Sequence, residues 1–166
     1  MPNDGIAWDL CEGFTASFSV AGHIMGASEV LVEMANARPD GSPIRFLFSG
    51  DLGHYDQPII KDPAPPPVCD YMMCESTYGD RLHEDTNSET RFAEIIREAA
   101  RRQAPILIPA FAVGRTQEVL YMIRELEEKG AIPILPVIVD SPMASQATQV
   151  YNRWHEEHDL EYASIL

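Results

Sequence analysis

The stretch "APILIPAFAVGRTQEVLYMIRELEEKGAIPILPVIVDSPMA", residues 104–144, decides the fold class. Its first ten residues form a near-continuous apolar run, the pattern of a strand buried on both faces. Gly114 ends that run. Val119, Leu120, Ile123 and Leu126 then recur at helical spacing up to the stop signal Lys129-Gly130. "ILPVIVDS" reads as another buried strand. Ser141-Pro142 opens a further helix, with serine as the cap and proline at the first position. Strand, helix, strand, helix implies a parallel sheet with right-handed crossovers.

Upstream, "TNSETRFAEIIREAARRQ" (86–103) puts Phe92, Ile95, Ile96, Ala99 and Ala100 on one helical face. Thr86 and Glu89 have the spacing of a capping box. Before it the rhythm changes. "TASFSV" (15–20) and "SEVLVEM" (28–34) alternate apolar and polar residues, as half-buried strands do. "IRFLFSGD" (44–51) is a third strand after the turn "ARPDGSP", and "YMMCES" (71–76) reads as a short buried one. Between them "KDPAPPPVCD" carries four prolines and reads as an irregular connector. Residues 1–80 are therefore mostly β and residues 81–166 α/β, with the boundary near "YGDRLHEDT".

Composition bounds the partners. The chain has 166 residues, 45% of them hydrophobic, so a packed core is expected. No apolar run is long enough to span a membrane, and the N-terminus lacks a secretory pattern. Cys11, Cys69 and Cys74 form no CxxC pair and suit a cytoplasmic protein with free thiols. The net charge of −14 argues against broad nonspecific binding to nucleic acid. Carboxylates can also hold cations, which reverse the local sign.

Three strand ends carry chemistry. In "FSVAGHIMGASEVLVEM" (18–34), His23 stands between Gly22 and Gly26. A bulky imidazole among residues that leave room suits a metal ligand facing an ion, although on this motif alone a surface-loop or hydrogen-bonded histidine is the more ordinary reading. Asp51 ends an apolar strand in "FLFSGDLG" and either caps the next turn or holds metal. Glu75 repeats the theme in "CESTYGD". Gly114 and Arg115 open a helix, where backbone N–H groups favour an anion or where glycine is only a cap. His54 and His83 lie in polar loops, and His155 with His158 suits a solvated helix end. No GxSxG elbow, Walker or GxGxxG string occurs.

Together "AGHIMGA", "FSGDLG", "ESTYGDRLH", "IPAFAVGRTQE" and "VDSPMA" resemble the RNA-processing metallo-β-lactamases that carry a β-CASP domain. The resemblance covers residues 16–150. It implies the second part of a metallo-β-lactamase αββα fold over residues 1–80, joined to the first, parallel-sheet βαβα part of a β-CASP domain over 81–166. It further implies His23 as a ligand of one zinc, Asp51 as the bridge between two zincs, and Glu75 as an acidic residue that supports a later histidine. Gly114, Arg115 and Thr116 would line the cleft for an RNA substrate. The implied reaction is hydrolysis of RNA phosphodiester bonds. The family's HxHxDH string does not occur before His23, nor do its two later histidine motifs appear, so the chain reads as a middle piece, inactive alone, with a homodimer as one way to cover a cut surface. A non-catalytic β-CASP scaffold and a DNA-acting β-CASP nuclease are the alternatives.

Overall fold

The computed structural model describes residues 6–82 and 88–158. His83 and the expected cap Thr86 lie outside these. The elements are β1 (Trp8–Cys11), β2 (Phe14–Val20), β3 (Ser28–Met34), β4 (Ile44–Phe48), β5 (Tyr71–Met73), α1 (Ser88–Arg101), α2 (Arg115–Glu128) and α3 (Pro142–Arg153), followed by a short 3-10 turn at His155–Glu157. The chain is thus a mixed α/β structure. It divides into two compact units, Met1–Asp80 with Trp154–Leu166, and Arg81–Arg153.

In the first unit the strands form one sheet in the order β1-β2-β3-β4-β5. The first four are antiparallel neighbours, and β5 runs parallel to β4. β1 was not legible as a strand. The registers sort the side chains onto two faces, because cross-strand partners point the same way. Trp8, Ala16, Val32, Phe46 and Tyr71 form one row across all five strands. Phe18, Val30, Phe48 and Met73 form the next row. Both rows are wholly apolar, with Phe46 stacked on Tyr71 at 4.8 Å between ring centroids. They are also open: Trp8, Phe46, Phe48, Tyr71 and Met73 are all exposed.

The other face mixes Ser17, Leu31, Leu47 and Met72 with the pairs Ser19–Glu29 and Glu33–Arg45. Leu47 is buried there, and Glu29 is buried with the Ser19 hydroxyl donating to its carboxylate at 3.0 Å. Arg45 pairs with Glu33 at 2.7 Å, and its backbone N–H donates to Asp70, which also pairs with Arg38. Those contacts pin the 37–43 turn and the start of β5 to the sheet. The expectation that "YMMCES" is buried is corrected. β5 is an edge strand, and its three residues are all exposed.

In the second unit α1 and α2 close over a small core of Ala93, Ile96, Leu126 and Ile132, flanked by Phe92, Met122 and Ile123. Ala93 rather than Ile95 faces this core, and Ile95 is exposed. α2 ends as its sequence suggests. Gly130 takes a left-handed φ of 65°, while Gly130 N–H and Ala131 N–H donate back to Glu127 and Leu126 carbonyls. Ser141 caps α3, its hydroxyl accepting from Ala144 N–H at 3.2 Å.

The two runs read as doubly buried strands, 104–113 and 134–141, are not strands among the described residues. A strand is buried on both faces only inside a sheet, with ladder partners beside it. Among the described residues neither run has such a partner, and Leu107 and Ile138 stand 93% and 86% exposed.

Candidate active site

The geometry around His23, Asp51 and Glu75 grows from two strand exits. β2 leaves the sheet at Val20, and residues 21–27 fold back to β3, with Ala21 N–H donating to Ala27 O at 3.0 Å. His23 is exposed on this loop. β4 leaves at Phe48, and Ser49 N–H extends its pairing to β5 by donating to Met73 O at 3.0 Å. Gly50 then turns with a φ of 58°, and a Cβ there would sit 2.8 Å from Ser28 O. Asp51 follows, exposed.

The two exits meet. Gly22 and Leu52 form an antiparallel bridge, and Gly53 N–H donates to Ala21 O at 2.8 Å. The residue after Gly22 is His23, and the residue before Leu52 is Asp51, so the bridge makes them neighbours. Glu75 seals the junction from β5. Its Oε1 accepts from Leu52 N–H at 2.7 Å, its Oε2 from Thr77 N–H at 3.3 Å, and its own N–H donates to Ser49 Oγ at 3.0 Å. The Leu52 hydrogen bond first, then that of Thr77, holds the Glu75 carboxyl below its ordinary value, and the charge of nearby His23 acts in the same direction.

Gly22 and Gly53 give up their side-chain space to neighbouring chain. A Cβ on Gly22 would meet Pro63 at 2.7 Å, and one on Gly53 would fall inside the Gly22 carbonyl. The space is filled by backbone, and its purpose is to let the His23 and Asp51 loops touch.

Two donors do not make a zinc site. No group of three or more His, Cys, Asp or Glu side chains stands ready for a metal among the described residues. A catalytic zinc site normally takes three protein ligands; the bridge brings two candidate donors together, His23 and Asp51.

The expected substrate-binding residues sit at the start of α2. Gly114 N–H donates to Gln117 Oε1 at 2.8 Å, and Thr116 uses both its N–H and its hydroxyl on Phe111 O. Arg115 pairs with Glu118 at 2.9 Å while its side chain remains 68% exposed. Gln117, which the sequence did not single out, is 4% exposed and holds the turn to α3 by donating to Ala112 O and Thr148 Oγ1. His158 is not on a solvated helix end. It is buried and bridges Ile60 antiparallel. His54 lies exposed beyond Gly53.

The β-CASP domain family matches residues 116–165. Ribonuclease TTHA0252 of Thermus thermophilus is 33% identical over 88% of this chain and 32% of its own length. Cleavage and polyadenylation specificity factor 73 of Drosophila melanogaster is 30% identical over 81% of the chain and 19% of its own. Endoribonuclease YSH1 of Mycosarcoma maydis is 31% identical over 81% and 15%. The chain therefore spans a third or less of these relatives, and no described helix is long and apolar enough to cross a membrane. On the matched domain and these relatives, this chain belongs to the metallo-β-lactamase/β-CASP family.

Proposed function

We propose that the chain is the part of a zinc-dependent ribonuclease that carries one side of its active centre, in a protein that cleaves RNA of the kind processed at 3′ ends. The single observation that carries this reading is the Gly22–Leu52 bridge with Glu75 on Leu52 N–H, which sets His23 beside Asp51. His23 and Asp51 would be this chain's contribution to two zinc ions, the other ligands coming from elsewhere in the complete protein. Residues 1–80 would form part of the metallo-β-lactamase domain, and residues 81–166 the first part of the β-CASP domain. The apolar face of the five-stranded sheet supports the first assignment. A sheet of this kind is stable only with a second layer on that face, and a second copy of the chain is the alternative cover. Gly114, Arg115 and Thr116 would meet the RNA backbone from a turn made rigid by Gln117. A cytoplasmic location fits the free thiols of Cys11, Cys69 and Cys74.

The test is cleavage of single-stranded RNA by the complete protein, before and after chelation and after zinc is restored. Cleavage lost on chelation and regained with zinc is expected, while the isolated chain leaves RNA intact. Chelator-resistant cleavage would contradict the metal dependence, and metal-dependent cleavage by the isolated chain, abolished in His23→Ala, would contradict its incompleteness. Cleavage of DNA in preference to RNA would favour a DNA-acting relative instead.

A further inference from the structure

Ser49 is the most buried polar residue at the site, 1% exposed. Its N–H is spent on Met73 O, in the ladder with β5. Its hydroxyl does two further things. The oxygen accepts from Glu75 N–H at 3.0 Å, and the proton goes to Gly50 O at 2.7 Å. A hydroxyl has one donor and two lone pairs, so both contacts are made at once. The first ties the backbone of Glu75 to the end of β4. The second fixes the Gly50 turn from which Asp51 emerges.

The connections close into a ring. Ser49 holds Glu75, the Glu75 carboxylate holds Leu52 N–H at 2.7 Å, and Leu52 bridges Gly22. Leu52 returns through Asp51 and Gly50 to Ser49. Asp51 is thereby held from both sides along the chain, and His23 is held one residue past the bridge.

We infer that Ser49 is a positioning residue. Its hydroxyl aims the Glu75 carboxylate at Leu52 N–H, and through that contact sets where Asp51 stands beside His23. Glu75 then acts within this chain as a clamp on the Asp51–Leu52 peptide. This deepens the proposed function by naming the side chain that organises the same site. The ring itself exists whether or not RNA is the substrate.

The alternative is that Ser49 only fills a small buried space. The two roles part in amide hydrogen exchange on the full chain. A space-filling role makes Ser49→Ala loosen the sheet as a whole. A positioning role loosens one place, because the hydroxyl's loss frees Glu75 N–H and lets the carboxylate leave Leu52. Ser49→Ala should speed exchange at the Leu52 and Glu75 amides by about five- to tenfold, the loss of about one hydrogen bond's worth of protection. Leu31 and Leu47 amides, in the middle of the sheet, should change by less than about twofold. Ser49→Thr keeps the acceptor and should restore the Leu52 rate. Glu75→Gln keeps an acceptor oxygen and should leave Leu52 protected, whereas Glu75→Leu should expose it. If Ser49→Ala does not fold, Ser49→Cys offers a side chain of similar size with a far weaker acceptor, and the same comparison applies. Uniform acceleration across the sheet, an unchanged Leu52 rate, or no rescue by threonine would overturn the assignment. None of these readings requires nuclease activity, so a failure here is separate from a failure of the proposed reaction.

Discussion

Gly53→Ala is the change that most sharply tests how the site is assembled. An added Cβ would fall within the Gly22 carbonyl group and 2.8 Å from His23 N. Ordinary contact needs about 3.5 Å, so the two loops must separate by roughly 1–2 Å. That separation breaks the Gly53 N–H to Ala21 O hydrogen bond of 2.8 Å and the Gly22–Leu52 bridge. Overpacking against backbone costs about 1–3 kcal/mol, and each lost hydrogen bond about 1 kcal/mol. The sum is about 3–5 kcal/mol, a large share of the ~5–15 kcal/mol that usually holds a domain together. The control is Gly13→Ala. Gly13 also has a positive φ, 78°, but nothing lies within 4 Å of a Cβ there. Its cost should be only the left-handed strain, about 1 kcal/mol. Both tryptophans of the chain, Trp8 and Trp154, belong to the first unit, so intrinsic fluorescence reports its unfolding alone. The Gly53→Ala midpoint should fall by at least about 10 °C, well beyond Gly13→Ala. If the two variants melt within a degree or two of each other, the loops do not meet as described, and the neighbourhood of His23 and Asp51 falls with them.

Two further outcomes follow from the same contacts. The Glu75 carboxyl is held below its ordinary value of 4.5, chiefly by Leu52 N–H, so its ionised form stabilises the folded state above that value. That stability should drain away as the pH falls below about 4.5 and through the lowered folded value, and Glu75→Gln should remove this part of the acid sensitivity while the parts from Asp40 and Asp70 remain. In the complete protein, Arg115→Ala should weaken RNA binding and lower the steepness of its salt dependence by about one phosphate contact. An unchanged slope would mean that Arg115 serves only its pair with Glu118.

What could be read from the sequence was local. Alternation in "TASFSV" and "SEVLVEM" placed two strands, and the caps at Ser141 and Gly130 placed helix ends, because each rests on residues adjacent in the chain. The candidate residues His23, Asp51 and Glu75 were legible from their small, turn-forming neighbours. The reason for those neighbours was not. Gly22 and Gly53 are thirty-one positions apart in numbering, and only the folded chain reveals that one's carbonyl occupies the other's missing side chain. Ser49 and Gln117 were invisible for a related reason. A small hydroxyl or an amide carries no pattern of its own, and both matter through partners distant in sequence. β1 escaped notice because Trp8–Cys11 is short and exposed throughout. The apolar runs at 104–113 and 134–141 misled in the opposite sense. Hydrophobicity records that a segment is meant to be covered, but a ladder needs a second strand, and none pairs with them among the described residues.

The central claim is that Asp51 is part of a metal-dependent cleavage site, held in place by a frame that does not depend on its charge. Asn keeps the size of Asp and loses the charge and one good ligand oxygen. The decisive measurement is RNA cleavage and zinc per chain in the complete protein carrying Asp51→Asn, beside the fluorescence melt of this chain carrying the same change. The account predicts that cleavage and zinc fall together while the melt stays where it was. Normal cleavage with two zincs retained would contradict it.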